Sequence, residues 1–516
     1  MTGAEHVDVV VVGSGPSGSA WARTILDGWP TARVLMVEIG PVVSDPPGRH
    51  VRTIADLDER YAAQLASQGD YTSPTDLARI KETVHAIEAG HGDRPVARPG
   101  TWLLEEDVAV QPGEDGLPVA VLSSNVGGQG AHWTGACPPP GVGERPEQVD
   151  QAGFDRAMSR AKELLSVTQR AFEGAPLGDE VRAILGAHYD AGRPADRRVA
   201  PMPLAVRIGP DGERHWSGTD AILGDLAHGT RGLEIRPLTV AREVLMAGPR
   251  ARGVRLYDRR RDREYEVAAD HVVVAADTLR APQLLFASGI RLRALGHHLN
   301  DQPQVAGVVR LDPRFAALTS AADRRREGEL DILSGVSWVP FDRDGFPYSG
   351  QIMQMDAAPI PVDPGYETWP GSIVETCLFG AKDIQYDDRV EFDESRLDAF
   401  GLPSFRIHYR LTAKDHAYID EMIAEATRMG ALIGETVPGG APACYLPGSS
   451  IHYQGTVRLG DDPEDSVADP TLKVWGTENL HVGGNGAIPT PIAANPTFTN
   501  VSLSVLGARH LVGSRG

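Results

Sequence analysis

The sequence is poor in cysteine, in aromatic side chains and in positive charge. Its three cysteines, Cys137, Cys377 and Cys444, are spread over 516 residues. That spacing offers neither a disulfide framework nor a metal-ligand set, so they read as reduced core thiols. Aromatics make up 6% of the chain and form no cluster, which argues against an aromatic cage for a quaternary ammonium ligand. Lys and Arg number 50 against 70 Asp and Glu, a formal net charge of -20. No basic stripe is left to neutralise nucleic acid or an anionic bilayer surface. No apolar run approaches the roughly 18 residues of a membrane span. Met1 to Asp8 has no basic segment and no apolar core, so no signal peptide is expected and the cytoplasm is the expected location.

What is present begins with a β-branched run, Val7 to Val12, followed by Gly13-Ser14-Gly15-Pro16-Ser17-Gly18. The run reads as a buried parallel strand. Ser19 to Asp27 reads as a helix stopped at Gly28, Val34 to Val37 as a second strand, and Glu38 stands at its end. This is a dinucleotide unit at the expected spacing. Gly13 permits the turn, Gly15 lets the backbone approach a pyrophosphate, and Gly18 lets helix and strand pack. Ser17 lies in the first helical turn, where unpaired N–H groups face phosphate. Glu38 is placed to accept a ribose hydroxyl. The alternative is a glycine-rich structural turn, and the unit alone does not choose between FAD and NAD.

Further along, Leu77 to Ala89 has helical periodicity, and Phe154 to Phe172 reads as an amphipathic helix. Leu233 to Ala276 alternates like a β-meander, with strands at Glu264 to Val267 and His271 to Ala276 and a charged tip at Asp258 to Asp262. Asp301 to Asp398 reads as a second, antiparallel sheet, and Thr412 to Ile433 as a long helix. The adjacent His297 and His298 cannot share a helix face and read as surface or loop residues, with no metal. The last stretch carries "SSIHYQGT", "GGNGAIPT" and "NPT". Asn495-Pro496-Thr497 opens a final helix reaching about Val512, with Gly513 past its end, and Asn and Pro are preferred at such a start.

"VVVAADT" followed by "APQLLFASGI" resembles the flavin motif of the glucose–methanol–choline (GMC) oxidoreductases, with Asp277 where the family has glycine. "VGGQGAHWT" and "IHYQGTVRLG" before "HVGGNGAIPTPIAANPT" are similar to the pyranose oxidase branch. The chain looks like the compact bacterial members, which oxidise C3 of sugars and C-glycosides. The resemblance implies FAD as cofactor. It makes His132 the candidate tether to the flavin 8α-methyl, the alternative being packing against the dimethylbenzene edge. It places Thr134 near flavin N5 and Asn485, Pro496 and Thr497 against the cofactor. It implies that His452 takes the hydroxyl proton, a task suited to an imidazole whose ordinary pKa is about 6.5, while Asn495 fixes the oxygen. A side chain of Asn495 that caps the final helix could not also serve the substrate. Gln354 and Asp356 share one face of an extended segment and are candidates for sugar hydroxyls, with Gln351 as the competing amide; the bland reading is a polar edge strand.

The fold expected is α/β (α+β), a Rossmann-like FAD-binding domain interleaved with an antiparallel-sheet substrate domain. Residues 1–45, 101–150, 215–300 and 446–516 are assigned to the first, and 46–100, 151–214 and 301–445 to the second. The expected activity is oxidation of a ring secondary alcohol (C2 or C3) of a sugar or glycoside to a ketone, with oxygen or a quinone as acceptor. The alternatives are another alcohol, such as an aryl alcohol or choline, or a flavin protein without turnover.

Overall fold

The computed structural model describes residues 5–68, 100–210, 212–318, 335–355, 366, 368–369 and 371–515. The helix expected over 77–89 lies outside the described residues.

The first sheet has seven strands. Its middle is parallel: Leu480–Val482, Arg263–Val274, Glu5–Val12, Val34–Val37 and Leu233–Arg236 run side by side in that order. Val9, Val10 and Val11 are fully buried, as a central strand covered on both faces requires. Arg250–Asp258 and Thr239–Ala247 extend the sheet in antiparallel fashion. Two expectations change here. The strands placed at Glu264 to Val267 and His271 to Ala276 are one strand, Arg263–Val274, because no Gly or Pro interrupts Ala268-Ala269-Asp270. Its first half pairs in a half-exposed hairpin and its second half is inserted in the parallel core. Leu233–Arg236 is not part of a meander; it returns to the far edge and pairs with Val34–Val37.

Three adjacent strands end at Gly13, Ala275 and Gly483, tied by Ala275 N–H to the Val12 carbonyl (2.8 Å) and Gly483 N–H to the Val274 carbonyl (2.9 Å). Ligands of open α/β sheets bind outside such carboxyl ends. The helix Pro16–Gly28 packs against the final helix, Thr497–Gly513. The latter is buried on nearly every face, as its continuous apolar and small-residue composition requires. At Gly507 a Cβ would come within 2.6 Å of the Trp21 indole, so only glycine permits this approach.

The second sheet is antiparallel, in the order Gly434–Thr436, Gln304–Leu311, Ile373–Gly380, Tyr348–Met355, Val336–Val339 and Ala200–Pro201. The helix Ala413–Ile433 covers it, started by a capping box between Thr412 and Asp415. Arg389–Leu397, expected in this sheet, instead forms a separate hairpin with Pro403–His408. The amphipathic helix ends at Leu164 rather than Phe172. His298 is buried, not a surface residue: its ring lies 3.1 Å from Asp465, in a loop at φ +61°. Just before the antiparallel strand Gln304–Leu311, Asn300 pairs with Gln454 in a short antiparallel bridge. Two residues on in one segment stands Gln302, and two residues back in the other stands His452.

Candidate active site

Five side chains from distant segments come together near this bridge. His452 Nε2 lies 3.2 Å from Asn495 Nδ2. On its other edge, His452 Nδ1 lies 2.7 Å from Gln302 Oε1. Gln351, on the strand Tyr348–Met355, donates from Nε2 to Asn495 Oδ1 at 2.8 Å. Phe379 packs against the imidazole at a ring separation of 5.1 Å. Asn495, Gln302 and Gln351 are all buried. Asn495 does not cap the final helix: Pro496 occupies the cap position and no side chain bonds to the first turn. Its amide is therefore free for the site, which resolves the conflict posed by its sequence position.

The backbone around this cluster is held by two buried carboxylates. Asp301 Oδ1 accepts from Ser450 Oγ and from His452 N–H (3.3 Å), and Oδ2 accepts from Gly448 N–H at 2.9 Å. Burial raises its pKa to about 6 against these bonds, which favour the ionised form. Glu144 Oε1 accepts from Ala493 N–H (2.8 Å) and Ala494 N–H (2.9 Å), and Oε2 from Gly141 N–H. It thereby fixes the two residues that precede Asn495. Asp301, Gln302 and Glu144 have no signal in the sequence. Each acts on a backbone segment far away in the chain, and no local pattern announces that.

The cofactor end is made of backbone and open space. A Cβ at Gly13 would meet the Ala275 carbonyl at 2.5 Å, and one at Gly18 would run into the Gly13 carbonyl. A Cβ at Gly15 would meet no protein atom within 4 Å. Gly13 and Gly18 are thus demanded by the chain's own packing, whereas Gly15 borders an opening. The helices starting at Pro16 and Thr497 both lack a side-chain cap, so their first N–H groups offer partners to negative groups. Asn485 Oδ1 and Gln129 Nε2 are buried without a hydrogen-bond partner among the described residues. Orphaned polar atoms beside an open glycine turn fit a bound polar cofactor.

Other sequence candidates fall as follows. Glu38 is buried and accepts from Ser14 N–H (3.1 Å), Ser14 Oγ (2.7 Å) and Gly40 N–H (3.2 Å). It ties the fingerprint turn to the end of the second strand. The Ser17 hydroxyl is turned away from the turn, into the helix pair, 2.8 Å from Ser504 Oγ; only its backbone remains at the helix start. His132 Nε2 lies 2.8 Å from Ser67 Oγ. Its Nδ1 faces Gly100, where an added Cβ would come within 2.4 Å. Burial lowers its pKa to about 4, so it is neutral at neutral pH. Its loop is clamped by His50, whose Nε2 pairs with the Trp133 carbonyl at 2.8 Å, and touches the fingerprint through Gly127 N–H to Ser14 Oγ (2.9 Å). Thr134 is exposed. Asp277 accepts from Leu279 and Arg280 N–H (2.8 and 3.1 Å) at the start of the helix Arg280–Ala287. Gln351 meets Asn495. The backbone of Gln354 pairs with Val374, and Asp356 lies outside the described residues.

A histidine paired with an asparagine amide, in a chain that also carries a dinucleotide turn, fits a class of enzymes that move hydride from an alcohol. Residues 143–304 and 388–504 match family models described as GMC oxidoreductase, and the chain belongs to the GMC oxidoreductase family. It is 46% identical over 508 residues to a C-glycoside 3-oxidase of Microbacterium trichothecenolyticum, covering 98% of this chain and 96% of that one. It is 29% identical over 550 residues to a pyranose 2-oxidase of Tricholoma matsutake, covering 99% and 94%. Among solved structures, pyridoxine 4-oxidase from Mesorbium loti has the same fold, with a TM-score of 0.63 at 19% identity, covering 98% of this chain and 99% of that one.

Proposed function

We propose that this enzyme oxidises a ring secondary alcohol of a glycoside or pyranose to the ketone, with C3 of a glycoside as the favoured position. The observation that carries the reading is the 3.2 Å pairing of His452 Nε2 with the Asn495 amide, in a chain so similar to a C-glycoside 3-oxidase. FAD is the cofactor; when bound it supplies the two-electron acceptor for the hydride leaving the carbinol carbon. His452 Nε2 takes the hydroxyl proton, and the Asn495 amide donates to the same oxygen and fixes it. The hydroxyl loses its proton and the carbon its hydride, which leaves the ketone. Oxygen or a quinone then takes the two electrons.

Gly15 would lie against the pyrophosphate, in a turn that Gly13 and Gly18 shape by their packing on the chain itself; Glu38 would accept a ribose hydroxyl with its remaining lone pairs, and Asn485 Oδ1 would gain a partner from the cofactor. The uncapped helix start at Pro496 and Thr497 would offer its positive end to negative charge on the bound cofactor. His132 holds its side of the site without a covalent bond in this reading. Nε2 is engaged with Ser67 and Nδ1 is walled by Gly100, so neither nitrogen is open to a flavin methyl. Acid precipitation is expected to release the yellow colour into the supernatant; colour retained in the pellet reverses this assignment. The sheet carrying the fingerprint serves the cofactor and the antiparallel sheet serves the substrate, with residues divided as the sequence reading assigns them. A cytoplasmic location completes the reading, since three cysteines not joined in disulfides fit a reducing compartment.

The deciding experiment is anaerobic mixing with a panel of sugars and of C- and O-glycosides while the flavin band is followed. Bleaching is expected to be fastest with glycosides, and the isolated product is expected to be the 3-ketone. A panel without any bleaching overturns the reading.

A further inference from the structure

The hydrogen bonds behind His452 contain more than a scaffold. Gln302 Nε2 donates to two backbone carbonyls, those of Ile492 (2.6 Å) and Ala494 (2.8 Å). A carbonyl only accepts, so the amide nitrogen must be the atom facing both, and the orientation of Gln302 is settled by chemistry. Its Oε1 is then the atom 2.7 Å from His452 Nδ1. An amide oxygen only accepts as well, so Nδ1 must carry the proton. In the neutral imidazole Nε2 is left with its lone pair, and Nε2 is the nitrogen facing Asn495. The Asn495 amide must then present Nδ2 to that lone pair, and its Oδ1 falls to the Gln351 donor at 2.8 Å. The chain of consequences starts at two carbonyls, and Glu144 holds the N–H groups of that same segment.

We infer that Gln302 is a positioning residue that fixes the tautomer of His452, keeping the proton on Nδ1 so that Nε2 is always the base. This rests on the role given to His452 above, although the protonation pattern itself does not need that role. The identity of the group on the far nitrogen decides which nitrogen of a histidine reacts. A carboxylate there would also tune basicity through its charge. A neutral amide selects the tautomer while adding no charge. Gln302 is 3% exposed, so water cannot replace it as acceptor without a rearrangement of the loop.

The test reads the nitrogen atoms directly. Protein labelled with 15N in histidine gives a long-range nitrogen–proton spectrum, and the His452 signals are assigned by their disappearance in His452→Gln. Above neutral pH, Nδ1 is expected to show the shift of a protonated ring nitrogen and Nε2 that of a bare one. The reverse pattern, or a fast average of the two, overturns the inference without any variant having to fold. Gln302→Met removes the acceptor at nearly constant volume. It is expected to give mixed nitrogen shifts, to keep its FAD, and to reduce flavin about tenfold more slowly, the worth of a lost hydrogen bond near the reacting group. Its acid limb is expected to move to lower pH, because the imidazolium loses an acceptor that favours it. A variant with unchanged nitrogen shifts and an unchanged pH profile also overturns the inference. Failure of the catalytic role is a separate result: His452→Ala that still reduces flavin removes the base assignment and leaves the tautomer measurement standing.

Discussion

At the carboxyl ends of the parallel strands the chain offers backbone, space and unpaired polar atoms: the open side of Gly15, two uncapped helix starts, and the orphaned Asn485 Oδ1. Around His452 it offers the opposite. There the side chains are already joined, from Gln351 through Asn495 and His452 to Gln302, and Glu144 and Asp301 grip the backbone on either side. One region leaves polar groups to a ligand, and the other joins its polar groups to one another. A large cofactor brings its own binding energy and can satisfy loose groups. A proton transfer needs donor and acceptor placed within a fraction of an ångström, so its parts are fixed in advance.

The sharpest way to break this contrast is at its centre. His452→Ala is expected to slow anaerobic flavin reduction roughly 10^2- to 10^4-fold, the range of a general base, while the protein remains fully yellow. The loss of colour together with rate would show that the two regions are not separable. In the wild-type enzyme the same reduction is expected to slow at acid pH, since a protonated Nε2 cannot accept the hydroxyl proton.

A second comparison divides the glycines of the fingerprint. Gly18→Ala forces a methyl group into the Gly13 carbonyl and is expected to cost about 1–3 kcal/mol of stability even without FAD, as overpacking does. Gly15→Ala meets nothing in the protein. Its thermal unfolding without FAD is expected to stay within about 1 kcal/mol of wild type, the scale of a helix-cap change, while FAD content falls sharply. Thermal melts of both variants, with and without added FAD, check this. Normal FAD loading in Gly15→Ala would mean that the opening beside it is not the cofactor's.

The contrast also explains what the sequence could reveal. A backbone cradle needs glycine at fixed spacing next to a strand and a helix, so Gly13, Gly15, Gly18 and the Val9 to Val12 run are visible one after another. His452 and Asn495 stand out because their surroundings resemble a known branch. Gln302, Asp301 and Glu144 bond to segments about 150 to 350 residues away, and polar residues in loops look alike until the fold brings them together. The split of Arg263–Val274 into two expected strands had a similar cause. Its pattern changes from alternating to continuously apolar where the strand passes from a solvent-facing hairpin into the parallel core, and the change of environment reads as an interruption.

Acid pH separates the two regions by a smaller margin. Burial keeps neutral His481 of the parallel sheet, His132 of the loop against the fingerprint, and His50, which clamps that loop: His50 and His481 have pKa values lowered to about 3, and His132 to about 4. For His481, which packs 5.7 Å from the Trp21 ring, burial is the largest cause, with His271 and Lys473 adding to it. The unfolded chain takes up these protons near pH 6.5 and the folded chain does not. Their contribution is therefore intact above about pH 6.5 and is lost as pH falls toward 3. At pH 5 one such histidine costs roughly 2 kcal/mol, at 1.36 kcal/mol per pH unit. His481→Phe removes one titrating group at similar volume, beside an aromatic neighbour. Its loss of stability between pH 7 and pH 5, from denaturant unfolding, is expected to be smaller than the wild type's by about that amount. An equal loss in both proteins would move the source of acid sensitivity away from His481, toward the other buried histidines, His50 and His132; the carboxylates Asp301 and Glu144, whose pKa burial raises, gain stability as pH falls and cannot account for it.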